Sequence, residues 1–183
     1  MSDRAAPSEQ RLTDGSTTTM PWSTVRERLE QPERPRTYWL ATVDPDGAPH
    51  VMPLITAWID GSLYFLSGLG TRKGSNLARD PRCAITTGST TLPSIDIILE
   101  GEAVRVTDAD TLAHVVEFLT TTMEWPQLDV RDDFVYGPNA PTAGPPPYAL
   151  FRFTPSTGFG LPGMTGMEQF DPSELPTPTR YRF

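Results

Sequence analysis

A single lysine, a single cysteine and two histidines among 183 residues each close off a class of function. With only Cys83 there is no internal disulfide framework, and its surroundings, "RCAITT", read as a strand in which a small apolar thiol packs as structure rather than reacts. Two histidines without zinc-ligand spacing, together with the absence of GxSxG, GxGxxG or a Walker loop, leave little room for a conventional acid–base or nucleophilic site, and no metal site is expected. Any enzymatic chemistry must then come from a cofactor. No apolar run approaches the ~18 residues of a membrane span, and the N-terminus, "MSDRAAPSEQRLTDGSTTT", has no apolar segment of the kind that directs export. The expectation is a cytoplasmic protein with no membrane partner. Basic residues are outnumbered 15 to 23, for a net charge of −8, which argues against a protein that works by neutralising nucleic acid. An anionic small molecule needs only a local basic pocket.

What is present is a chain punctuated by turns. Residues 1–20 are Ser/Thr/Gly-rich without apolar periodicity and read as a disordered or loosely docked arm; residues 21–183, with 37% hydrophobic content overall, fit one globular domain. "WSTVRERLE" predicts a short helix capped by Ser23 or Thr24 and stopped before Pro32 and Pro35. Three β-rich runs follow, "TYWLATV", "PHVMPLITAWI" and "SLYFLS", separated by the turn sequences "DPDGA" and "DG". After "RKGSNLAR", one or two helical turns, come the strands "RCAITTG" and "SIDIILEGEAVRVT". From Asp108 to Glu124 the residues Leu112, Val115, Val116, Leu119 and Met123 fall on one helix face, with Thr107 or Asp108 as cap and His114 facing solvent. An irregular stretch from 124 to 147, containing Trp125, Tyr136 and "APTAGPPPY", is long enough to shape a pocket. "YALFRFTP" and "TGFGL" make a sixth and a seventh strand, and "TRYRF" ends the chain. The pattern predicts a mainly β (α+β) fold, a small antiparallel barrel with a few short helices.

The solitary lysine sits in "GTRKGSNLARDP", at a helix start where acids are usual and where none occurs between Asp60 and Asp80. A helix N-terminus offers free N–H groups and partial positive charge. Adding Arg72 and Lys73 concentrates positive potential that a phosphate would balance. Ser67 and Thr71 supply hydroxyls, Gly70 and Gly74 permit close backbone approach, and Asn76 adds an amide. The plainer alternative is a solvated surface helix with incidental arginines.

The segments "WLATVDPDGAPHVMPL", "LYFLSGLGTRKGSNLARDPR", "YALFRFTPSTGFG" and "TRYRF" together resemble the pyridoxamine 5'-phosphate oxidase-like, FMN-binding split β-barrel superfamily. Within it, "TRK", "NL" and "DPR" after the third strand are similar to the flavin/deazaflavin oxidoreductases of actinobacterial type. That resemblance, over residues 22–183, implies a split antiparallel β-barrel and a homodimer with two cofactor sites at the subunit interface. By position it implies that Thr71, Arg72, Lys73 and Asn76 hold the cofactor phosphate, that Val51, Met52 and Pro53 lie along the ring, and that Leu66, Ser67 and Gly68 line its tail. The function implied is an oxidoreductase that uses coenzyme F420 as hydride donor to reduce an unsaturated small organic substrate. An FMN-dependent oxidase or reductase of the same fold, a non-catalytic flavin, deazaflavin or haem carrier (His50 being the haem-ligand candidate), and a degenerate site that binds nothing remain open. A basic groove for the acidic deazaflavin tail, for which Arg36, Arg79 and Arg152 are candidates, would separate the first two. Arg180 or Arg182 in "TRYRF" either meets an anionic tail or packs and caps the fold.

Overall fold

The computed structural model describes residues 5–13, 18–31, 37–88, 94–125, 127–140, 142–163, 171 and 176–183. The expected meander forms as β2 (Tyr38–Val43) and β3 (Pro49–Leu54), then β4 (Ala57–Ile59) and β5 (Ser62–Ser67). The run "PHVMPLITAWI" is two strands rather than one, since pairing with β2 ends at Leu54 and pairing with β5 begins at Ala57. From β5 the chain enters α2 (Arg72–Arg79) and returns as β6 (Arg82–Gly88) and the long β7 (Ile95–Val106).

The proposed sixth and seventh strands are one continuous strand, β10 (Ala149–Pro162), with a register shift between Pro155 and Thr157. The proline lacks an N–H and so cannot complete a regular ladder, but a bulge absorbs it and the strand runs on. Along one edge β10 pairs with β7 throughout. Along the other it pairs first with β5 and then, past the bulge, with β11 (Thr179–Arg182). This change of partner on one edge opens the sheet β1 (Ser8–Arg11)-β11-β10-β7-β6-β2-β3, with β4 and β5 off that path, into a split antiparallel barrel.

The described residues of the N-terminal arm are docked on the sheet rather than disordered, residues 1–4 and 14–17 lying outside those described. Ser8–Arg11 forms β1, paired antiparallel with β11, and Met20 is fully buried. All four β1 side chains are exposed. The strand therefore carries no apolar alternation to read, and forms because the β11 edge offers backbone partners. It also starts α1 (Trp22–Leu29). That helix has Pro21 at its N-cap rather than Ser23 or Thr24 and no side-chain cap of its own; instead Glu9 Oε1 accepts the Trp22 N–H at 2.7 Å. The terminal "TRYRF" packs on the fold: Tyr181 is buried, donates its hydroxyl to the Met20 carbonyl at 2.8 Å, and joins Trp22 and Phe183 in an aromatic cluster. A Cβ at Gly160 would come within 2.9 Å of Met20, Tyr181 and Val25, so only glycine lets α1 and this cluster approach β10 so closely.

The core has two parts. One lies between α1 and the sheet around Leu40, Phe65, Ile85, Leu99 and Phe153. The other lies beneath α3 (Ala109–Thr121), whose Leu112, Val115, Val116 and Leu119 are buried as the spacing predicts, with Asp108 Oδ1 capping the Thr111 N–H at 2.8 Å. His114 faces solvent and Cys83 is half-buried, its thiol pushed up to about 12 by burial. A short hairpin, β8 (Asp129–Arg131) and β9 (Phe134–Tyr136), follows α3. Among the described residues no helix is long and apolar enough to cross a membrane.

Candidate cofactor site at the start of α2

The segment "TRKGSNLAR" folds as read, because its first hydroxyl closes the helix. Thr71 Oγ1 accepts the Gly74 N–H at 3.1 Å, donates to the Gly68 carbonyl at 2.7 Å and lies 3.0 Å from Ser67 Oγ. A Cβ on Gly74 would fall 2.4 Å from the Gly68 carbonyl oxygen, so the turn between β5 and α2 can be this tight only with glycine there.

An acid does reach this helix start, from outside the segment. Asp44, the first residue of the turn after β2, has a side chain only 4% accessible and is held by Arg72 in a two-pronged pair, Nε to Oδ1 at 2.9 Å and Nη2 to Oδ2. Asn76 Nδ2 donates to the same Oδ1 at 2.9 Å and to Thr42 Oγ1 at 3.0 Å; Thr42 Oγ1 in turn reaches the His50 carbonyl on β3 at 3.4 Å. A continuous polar chain thus ties β3 through β2 to α2. The Arg72 bond, then that of Asn76, holds the Asp44 carboxyl below the usual carboxylate range, and the same carboxylate raises Arg72. Arg72 remains 63% accessible along its side chain and borders an open pocket of about 520 Å³ with Asp44, Pro45, Asp46, Ser75 and Asn76.

Lys73 turns the other way. It is 2% exposed, and its ammonium donates to the Thr142 carbonyl in the irregular stretch before β10. Burial lowers its pKa. The neighbouring Ala143 carbonyl accepts the Gly68 N–H at 2.9 Å. Residues 138–140 and 142–144 are fastened by the Tyr148 hydroxyl, which accepts the Ala140 N–H at 3.0 Å and has the Pro138 and Gly144 carbonyls at 2.9 and 3.0 Å. They form a strap across the start of α2.

The structure brings Ser67, Gly68, Thr71, Arg72 and Asn76 together and faces Lys73 inward beneath the strap. Leu66 is part of the α3 core. On β3, Val51 and Met52 point to opposite faces. Val51 and Pro53 stand opposite Ala41 and Trp39 on an outward face, where Val51, Val43 and Trp39 are 51%, 42% and 45% exposed. Asp44 and the Thr142 carbonyl were not legible as site groups. Asp44 lies in "DPDG", whose turn signal accounts for it fully, and a carbonyl has no sequence signature.

A family model described as "Pyridoxamine 5'-phosphate oxidase" matches residues 24–161, from within α1 to the end of β10. The chain belongs to this family. A pyridoxine/pyridoxamine 5'-phosphate oxidase from Rhodopseudomonas palustris is 32% identical over 122 residues, 62% of this chain and 57% of that protein's length. Among solved structures, one described as an F420 reductase superposes with a TM-score of 0.52 at 24% identity, covering 72% of this chain and 94% of its own. A FAD-binding protein from Mesorhizobium loti superposes with a TM-score of 0.55 at 18% identity, covering 92% and 100%. These likenesses establish for this pyridoxamine 5'-phosphate oxidase family member the split-barrel fold.

Proposed function

We propose that the protein is an oxidoreductase that holds a phosphate-bearing cofactor at the start of α2, coenzyme F420 in the leading reading, and uses it to reduce an unsaturated small organic substrate. The observation that carries the reading is Arg72, an exposed guanidinium at the positive end of a helix, fixed along one edge by Asp44. The donor set fits a phosphate: Arg72, Asn76 and Lys73 all carry oxygen acceptors within the protein, and the Nη1 edge of Arg72 is outside the Asp44 pair. In this reading the Nη1 edge of Arg72 binds the phosphate, the Thr71 and Ser67 hydroxyls close the start of the helix that carries it, and Lys73 adds positive potential from beneath while holding the strap. Asn76 acts through Asp44 and Thr42, which take both protons of its amide. When bound, the cofactor would supply the hydride; the chain orients it along the outward-facing Val51 and Pro53, with Met52 of the same strand on the other face, and keeps water out with the strap. The family membership supports this division of labour.

FMN is the second reading, and one observation favours it. The pocket beside Arg72 is lined by two carboxylates, Asp44 and Asp46, a poor exit for the acidic tail of a deazaflavin. Of the basic groove candidates, Arg79 donates to the Val43 carbonyl and Arg152 stands on β10 opposite Tyr64, while Arg36 lies outside the described residues. A homodimer belongs to the same proposal, because Trp39, Val43 and Val51 form an exposed apolar face beside the ring strands that a second copy would cover.

The test is a titration of the purified protein with oxidised F420 and with FMN, followed by tryptophan quenching. Tighter F420 binding supports the leading reading, and FMN preference assigns the flavin. Arg72→Ala should weaken the preferred cofactor about 10–150-fold, the loss of one charge-assisted hydrogen bond. Binding of neither cofactor, or binding indifferent to Arg72, overturns the proposal.

A further inference from the structure

Charge counting gives Asp44 the wrong sign for a phosphate site. It places a carboxylate against Arg72, the basic residue that lines this pocket, with Asp46 on the same wall. On electrostatics alone, removing it should tighten anion binding. The geometry says otherwise. An unrestrained arginine side chain samples many rotamers, and freezing it on binding costs part of the affinity gained. Here the Nε and Nη2 edge of Arg72 is clamped by Asp44, whose carboxylate is itself buried and also braced by Asn76. The backbone of Asp44 is fixed as well: its N–H donates to the Ala48 carbonyl at 2.9 Å and its carbonyl accepts the Gly47 N–H at 2.9 Å. Both ends of the clamp are therefore rigid, one in the β2–β3 turn and the other on α2. A fork-to-fork pair of this type leaves the guanidinium one free edge in a defined plane.

Resting on the phosphate reading above, we infer that Asp44 is a positioning residue for cofactor binding: it aims the free edge of Arg72 at the phosphate and locks α2 to the strands that carry the ring. It touches Arg72 and Asn76, and His50 and Asp46 are the other charged or titratable groups whose fields act on this pair.

The inference is tested with Asp44→Asn, which removes the charge and keeps an acceptor. Positioning requires that FMN or F420, whichever the wild type binds, bind about ten- to a hundredfold more weakly to the variant. Equal or tighter binding overturns it and makes Asp44 a competing anion. A second readout needs no cofactor: the Nε–H resonance of Arg72 in 15N-labelled wild-type protein. A resolved, slowly exchanging signal, distinct from the exposed arginines and lost in Asp44→Asn, supports a fixed guanidinium; a signal averaged with the others overturns the inference even if Asp44→Asn does not fold. Should neither cofactor bind to the wild type while the Nε–H signal stays resolved, the cofactor reading and with it the aiming role fail, and the clamp is a fold element only.

Discussion

At the residue scale, the solitary lysine raised a question that the structure answers with a different partner. Lys73 is buried against the Thr142 carbonyl, and burial lowers its pKa from the ordinary 10.5. The sign of the linkage follows. Between the lowered folded value and 10.5 the unfolded chain binds the extra proton, so stability contributed at this site climbs as pH rises through that window and is flat below it. Lys73→Met should abolish that climb, and the difference between wild-type and variant urea midpoints as pH is raised from neutral toward 10.5 checks it; the raised Cys83 thiol cancels because both proteins keep it. Parallel pH profiles would show that Lys73 carries no such penalty. The hydroxyl and glycine positions of this segment were legible because they act within four residues of one another, as Thr71 on Gly74 does. Asp44 was not, since 28 residues separate it from Arg72.

Among the elements, α2 and α3 follow from local signals, a cap and a periodic apolar face, and both stand where the sequence puts them. β1 and the start of α1 do not. Glu9, on a strand with no apolar residue, caps α1 by accepting the Trp22 N–H, a job local sequence would give to Ser23 or Thr24. Glu9→Ala should cost about 1 kcal/mol of unfolding free energy, the usual worth of a helix cap, and Ser23→Ala much less; denaturant titration of the two variants decides, and the reverse order would return the cap to the helix's own residues. The division of "YALFRFTP" from "TGFGL" failed for a related reason. A proline inside a strand reads as an end when hydrogen bonding is considered locally, but β7 runs alongside on both sides of the bulge and carries β10 through.

For the whole molecule, the sheet order leaves β3 at an edge, with Trp39, Val43 and Val51 in the open on β2 and β3. If a second copy covers this face, the Trp39→Glu variant should sediment as a monomer where the wild type sediments as a dimer, and should bind cofactor more weakly because the interface completes the site; a wild-type monomer would remove both expectations. By itself the sequence determined the class of fold, its meander, the two helices with local caps, and the place of a basic helix start directly after the meander, because turn residues, period-2 runs and caps act over a few residues. Only the tertiary structure decided which groups meet there. Asp44 reaches Arg72, the Thr142 carbonyl reaches Lys73, and β1 finds the β11 edge through contacts between distant segments. A carboxylate, a carbonyl and an unpaired strand edge choose their partners by proximity in space, and no pattern along the chain records that choice.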